Sequence, residues 1–174
     1  MNNKVIIITG NKGVGKTTKL LNIIGLLKSE GVNIVGFTAA CDWNNGERNE
    51  YRLVDVNSDK SITLCTIFPD VNYEQSGRFY FNPTAVQYGK KLLTAHSDEK
   101  LVIIIDEVGP FELDNKVWHS SLIYQLESTQ NIILISVRKN LVNNIINKYK
   151  LKNVAVYSID EPDLNIIKEI NLTI

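Results

Sequence analysis

Gly10, Gly15, Lys16 and Thr17 stand at the spacing G-x-x-x-x-G-K-[ST], within the stretch "GNKGVGKTT" that covers residues 10–18. Glycines at these places, with Gly13 as a third, let a chain adopt positive φ. Backbone N–H groups of Gly13, Gly15, Lys16 and Thr17 can then surround a β-phosphate, and a following helix adds the partial positive charge of its N-terminus. Lys16 would span the β- and γ-phosphates, the Thr17 hydroxyl would ligate Mg2+, and Thr18 would reach the α-phosphate. The run Gly10, Asn11, Lys12, Gly13, Val14, Gly15, Lys16, Thr17 and Thr18 is therefore the expected nucleotide-binding loop. It follows an aliphatic run, "VIIIT", and enters an amphipathic segment, the context such a loop requires.

A phosphate loop of this kind works with an acidic residue at the end of a hydrophobic strand, expected beside the first strand. "KLVIIIDEVG" supplies Asp106 and Glu107 after its aliphatic run. Asp106 is the expected second metal residue with Thr17, directly or through water; the bland alternative is a helix cap after a strand. Glu107 stands where a carboxylate orients or deprotonates an attacking water, or serves as a structural partner of its neighbour. Phosphoryl transfer also builds charge on the γ-oxygens, which an arginine in reach would offset. Arg48 and Arg138 are the candidates that join Lys16 and Glu107 as catalytic residues. Arg138 follows "NIILISV" at the strand end where ligands bind in open α/β sheets. Arg52 and Arg78 read as solvated surface.

The elements that must position these residues are legible as short, continuously apolar runs. "KVIIIT", "NIVGFT", "KLVIIID", "NIILISV" and "NVAVYSI" read as strands buried on both faces of a parallel sheet. Helical spacing fills residues 16–30, 83–95, 117–127, 141–149 and 164–170, so strands and helices alternate. Residues 50–68 break the alternation: two strand-like runs flank the polar "NSDKS", which predicts an antiparallel hairpin at the sheet edge. Two polar stretches, residues 41–49 and 69–79, read as long loops. The expected fold is α/β, a three-layer P-loop domain with a mostly parallel central sheet, forming one unit over residues 1–174.

Composition sets the remaining bounds. Lys plus Arg and Asp plus Glu both number 19, so no charge excess points to a nucleic acid or an anionic membrane. The first apolar run meets the glycine loop too soon to be a signal or membrane segment, which predicts a cytoplasmic chain. Cys41 and Cys65 share no metal-ligand spacing with His96 or His119 and read as reduced thiols. Neither histidine is placed in the chemistry. Trp43, Tyr73, Phe79 and Tyr80 read as packing for the loops, with base stacking as the alternative. Lys12 lies one place off position 11, where partition-type ATPases keep a signature lysine, and Asn11 occupies that position.

The chain resembles the THEP1-like family of small nucleoside triphosphatases. The resemblance is carried by "GVGKTT" (13–18), "VGFTAA" (35–40), "GERNEYRL" (46–53), "SGRFYF" (76–81) and "DEVGPFEL" (106–113), in the family's order over nearly the whole chain. Glu112 is the specific element, since a generic acidic strand end has no counterpart to it. The resemblance implies a RecA-like or Rossmann-like domain that hydrolyses triphosphates such as ATP and GTP slowly, with Mg2+ and little discrimination of the base. The family's loop after G-F-x-T often reads E-V-R-E-x-G-x-R. Here "AACDWNNGER" is one residue longer, and Arg48 alone remains of its arginines. Hydrolysis to the diphosphate and phosphate is the first function expected. The alternatives are a small P-loop kinase, against which the absence of an arginine cluster counts, and a regulatory switch whose protein partner the sequence does not name.

Overall fold

The computed structural model describes residues 3–44, 47–94, 100–128 and 130–174, with backbone alone for 42–44, 47–48 and 128. The expectations for His96, and for the side chains of Trp43 and Arg48, lie outside the described residues.

Among the described residues nine strands form one sheet: β1 (Val5–Gly10), β2 (Ile34–Asn44), β3 (Glu47–Asp55), β4 (Ser61–Thr66), β5 (Glu74–Ser76), β6 (Phe79–Phe81), β7 (Val102–Ile105), β8 (Ile132–Arg138) and β9 (Val154–Ser158). Their order across the sheet is β5-β6-β4-β3-β2-β7-β8-β1-β9. Pairings from β9 to the inner half of β2 are parallel. Those from β2 through β3, β4 and β6 to β5 are antiparallel. β2 thus has two kinds of neighbour. Its residues Ile34 to Phe37 run parallel to β7, and Phe37 to Asn44 pair antiparallel with β3. At this seam the two backbones come close. A Cβ on Gly36, whose φ is +118°, would sit 2.0 Å from the Ile104 carbonyl oxygen, so only glycine fits.

Helices cover both faces, giving the expected three layers. α1 (Lys16–Ser29) and α6 (Asp163–Asn171) lie on one face. There Leu20, Ile23, Ile24 and Leu27, with Ile166, Ile167 and Ile170, pack on Ile6, Ile8, Ile104 and Leu134. α2 (Pro83–Leu92), α4 (His119–Ser128) and α5 (Val142–Lys148) lie on the other, where Ala85, Leu122 and Ile145 meet Ile7, Ile103, Ile105 and Ile135. Adjacent strand residues enter opposite cores, which is why these strands are apolar without interruption. β9 departs from that expectation. It is an edge strand, and Val156 is exposed.

The hairpin expected in residues 50–68 is β3 with β4. Its turn is held by Asp55, whose carboxylate accepts bonds from the Asn57 amide (2.9 Å), the Ser58 hydroxyl (2.6 Å) and the Tyr88 hydroxyl (2.7 Å). It is not the edge. Residues expected as loops extend the antiparallel region: 41–44 and 47–49 continue β2 and begin β3, and 74–76, from the expected loop 69–79, pair with 79–81 as the outermost hairpin. These strands contact solvent along much of their length, so they lack the continuous apolar run that marks the parallel ones. A four-residue helix, α3 (Pro110–Leu113), was also too short to show periodicity.

Candidate active site

The phosphate loop closes the gap between β1 and α1. Gly13 and Gly15 hold φ values of 84° and 98°. Gly10 is required by crowding, since a Cβ there would lie 2.7 Å from the Val14 side chain. Gly15 precedes α1 and supplies no side-chain cap, so the first amides of the helix face the loop's interior without a competing acceptor from that position. Lys16 is nearly buried. Its ammonium donates to the Asn11 carbonyl at 3.2 Å and stands 3.8 Å from Glu107 Oε2.

Asp106 follows β7, and here the expected adjacency fails: β8 lies between β1 and β7. Thr17, in the first turn of α1, nevertheless reaches Asp106: its Oγ1 donates to Asp106 Oδ2 at 2.7 Å. The inserted strand contributes two groups of its own. Ser136 donates its hydroxyl to Asp106 Oδ1, and Arg138 Nε donates to Glu107 Oε1 at 2.6 Å. A fourth tie comes from the seam strand, where the Ala39 amide donates to Asp106 Oδ2 at 3.1 Å. Burial raises the Asp106 carboxyl above the ordinary carboxylate range, against the lowering effect of its hydrogen bonds from Ser136, Thr17 and Ala39. A buried carboxylate beside a threonine hydroxyl is a set of hard oxygen donors, which suits Mg2+ completed by phosphate oxygens and water.

Glu112 is 2% exposed. Its carboxylate accepts from the Gly109 amide (2.8 Å) and the Trp118 amide (3.3 Å), closing α3 against the loop that leads into α4. Burial pushes its pKa up to about 7. The residue singled out by resemblance is thus a buried brace. His119 pairs with the Tyr149 hydroxyl at 3.0 Å, which in turn donates to the Glu112 carbonyl at 3.1 Å, so it serves the same scaffold, away from the phosphate loop.

These groups border a cleft of about 580 Å3. The loop residues Lys12, Gly13, Gly15, Lys16, Thr17 and Thr18 line it, together with Asp106, Glu107 and Arg138. So do Ala39, Cys41, Tyr51, Leu64, Cys65, Phe81, Phe111 and Trp118, none of which was placed at the site from sequence, and Phe79, for which base stacking was the alternative reading. Register explains the omission of Cys41, Tyr51 and Cys65: they are opposite one another on β2, β3 and β4 though far apart in the chain. Burial raises the Cys65 thiol to about 12. Ser136 had a signal, being the one hydroxyl residue in an otherwise apolar run. Arg52 is at the surface, as expected, donating to Ser61 Oγ at 2.8 Å. Arg78 is exposed yet borders the cleft, its guanidinium 4.9 Å from the Phe79 ring centre. Phe79 packs as expected, edge-on to Tyr51 and Phe111.

Known proteins share this arrangement of sequence. The family model described as NTPase matches residues 5–171. Nucleoside-triphosphatase THEP1 of Caldivirga maquilingensis is 31% identical over 147 residues, covering 82% of this chain and 80% of its own. The protein of the same name from Thermotoga sp. strain RQ2 is 26% identical over 162 residues, covering 92% and 88%. Among solved structures, THEP1 from Aquifex aeolicus aligns with a TM-score of 0.71 at 21% identity, over 95% of this chain and 98% of that one. A human cancer-related nucleoside triphosphatase aligns at 0.69 and 23% identity, over 99% and 96%. At those identities the structures speak for the fold, which is that of a P-loop NTPase. Phosphate loop, acidic strand end and a sequence match over nearly the full length agree, and the chain belongs to the NTPase family of nucleoside triphosphatases that includes the THEP1 proteins.

Proposed function

We propose that this protein hydrolyses nucleoside triphosphates, ATP and GTP among them, to the diphosphate and phosphate, with Glu107 orienting or deprotonating the attacking water. One observation carries the reading. Glu107 follows the buried Asp106, and its two carboxylate oxygens face two cations, Lys16 at 3.8 Å and Arg138 at 2.6 Å. Thr17 and Asp106 would hold Mg2+, which when bound neutralises charge on the β- and γ-oxygens.

The chain's own groups do the rest. Loop amides and the α1 N-terminus hold the β-phosphate, and Lys16 exchanges its contact with the Asn11 carbonyl for phosphate oxygens. Arg138 fixes one oxygen of Glu107, leaving the other toward the water. Arg48, on β3, is the second arginine we assign to γ-phosphate charge. All these contacts are to phosphates, which favours weak discrimination among bases. Zero net charge and the lack, among the described residues, of a helix long and apolar enough to cross a membrane favour a cytoplasmic enzyme that acts on free nucleotides.

Phosphate release from ATP, GTP, CTP and UTP with Mg2+ tests the reading. Glu107→Gln lowers kcat by about 10²- to 10⁴-fold, while equilibrium binding of the triphosphate persists. Release at an unchanged rate in that variant removes Glu107 from the chemistry.

A further inference from the structure

The cleft of about 580 Å3 is bordered by more than the phosphate loop and the Asp106–Glu107 pair: side chains of β2, β3, β4 and β6 form its outer walls. Their position decides what they serve. On the proposed reading the phosphate chain runs from Thr18 at the α end to Glu107 at the γ end, and the strands that lead to these two residues, β1 and β7, flank β8. Tyr51 on β3 and Leu64 on β4 lie two and three strands beyond β7, further along the same direction. On that reading the nucleoside lies beyond the α-phosphate, on the side of the loop away from β7. The outer part of the cleft therefore adjoins the attacked face of the γ-phosphorus.

Its walls are apolar and mutually braced. Phe81 and Phe111 meet edge to face at 4.9 Å, and Phe79 packs edge-on to Phe111 at 6.4 Å and to Tyr51 at 5.7 Å. Rings locked in this way keep an apolar concavity open where unsupported side chains would collapse into it. At the margin the Arg78 guanidinium is exposed, and among the described residues no carboxylate lies within ion-pair distance of it. An apolar concavity with a few convergent polar groups is the usual form of a small-molecule site. Charge and shape together select the occupant: a flat ring for the aromatic walls and one negative charge for Arg78.

We propose that this outer cleft binds a second substrate, a small flat aromatic alcohol or phenol bearing one anionic group, whose hydroxyl accepts the γ-phosphoryl group in place of water. The proposal rests on the reading of the loop as a triphosphate site with Glu107 as base. In the transfer, the acceptor O–H gives its proton to the Glu107 carboxylate and its oxygen forms the new O–P bond. The bond from the γ-phosphorus to the bridging oxygen breaks, its electron pair leaves with the nucleoside diphosphate, and nothing is oxidised or reduced. Glu107 then returns the proton to solvent. Hydrolysis is the reaction of the same site with the outer cleft empty.

The probe is 6-hydroxynaphthalene-2-sulfonate, used on the full chain. Calorimetric titration into protein saturated with Mg2+ and ADP needs no turnover. The expected result is binding alongside ADP, weakened about tenfold or more in Arg78→Glu and abolished in Leu64→Trp, which fills the cleft. No binding, displacement of ADP, or equal affinity in wild type and Arg78→Glu overturns the site; the exposed Arg78 position keeps this decisive should Leu64→Trp fail to fold. With MgATP and saturating probe, phosphorus NMR should show more ADP than phosphate, the difference present as the naphthyl phosphate ester. Equal ADP and phosphate overturns the transfer. Phosphate release without probe tests hydrolysis alone, so failure of that reading is separable from failure of the binding result.

Discussion

The parallel half of the sheet, from β9 to the inner part of β2, and the antiparallel half, from the outer part of β2 to β5, solve different problems. In the first, strands buried on both faces end in loops that present amides and charges at fixed points: the phosphate loop after β1, Asp106 after β7 and Arg138 at the end of β8. In the second, hairpins expose much of one surface and aim side chains of three successive strands at one concavity. The first half fixes charge with backbone, while the second shapes space with rings. Electrostatic work at a phosphate tolerates little displacement. Enclosing an apolar body depends on overall volume, which many combinations of side chains supply.

The contrast can be broken by mutations in either half. The largest effect belongs to the parallel side: Lys16→Ala lowers phosphate release from MgATP by about 10³-fold or more, with the cooperative unfolding transition retained. A loss below tenfold would mean that backbone amides alone hold the reacting phosphates.

Glu112 lies where the halves meet, and its effect is on stability. Its folded pKa of about 7 exceeds the ordinary value of 4.5, so between those values the native state holds the proton more tightly than the unfolded chain. Stability contributed by this group is therefore greatest below about pH 4.5, declines as pH rises to about 7, and is level above it. Urea unfolding from pH 4.5 to 8 should show that decline, up to roughly 3 kcal/mol, and Glu112→Gln should flatten it. An identical slope in the variant would assign the dependence to other groups.

The smallest effect sharpens the contrast from the antiparallel side. A Cβ on Gly89 of α2 would lie 2.6 Å from the Trp118 ring and 2.8 Å from Leu53. Gly89→Ala should lower unfolding stability by about 1–3 kcal/mol through overpacking. MgATP hydrolysis per folded molecule should stay within about twofold. A larger loss of turnover would show that packing under the hairpins is felt at the phosphate loop.

What could be read from the sequence followed the same division. The phosphate loop, Asp106, Glu107 and the five parallel strands are local: each is a run of adjacent residues whose types and spacing carry their own physics. Strand order was not local, so β8 between β1 and β7 went unseen, and with it the Ser136 hydroxyl on Asp106 and the Arg138 pairing with Glu107. The outer hairpins were hidden in polar stretches, because a strand with a solvent-facing side lacks the continuous apolar signature. The aromatic wall was the least legible part. Tyr51, Phe79 and Phe111 come from three separate segments and meet only through register and packing. Glu112 was marked by resemblance alone, and its two backbone donors explain why a carboxylate belongs there.

The place of β1 in the sheet has a consequence for how the molecule is made. The strand that leads into the phosphate loop is made before β2 to β7, yet its two neighbours, β8 and β9, are made after them. Until residue 158 has emerged, the loop is flanked on at most one side and its strand edge is open to other chains. A nascent chain thus carries its nucleotide-binding segment unfinished while β2 to β7 are made, and β1 gains its second neighbour only with β9.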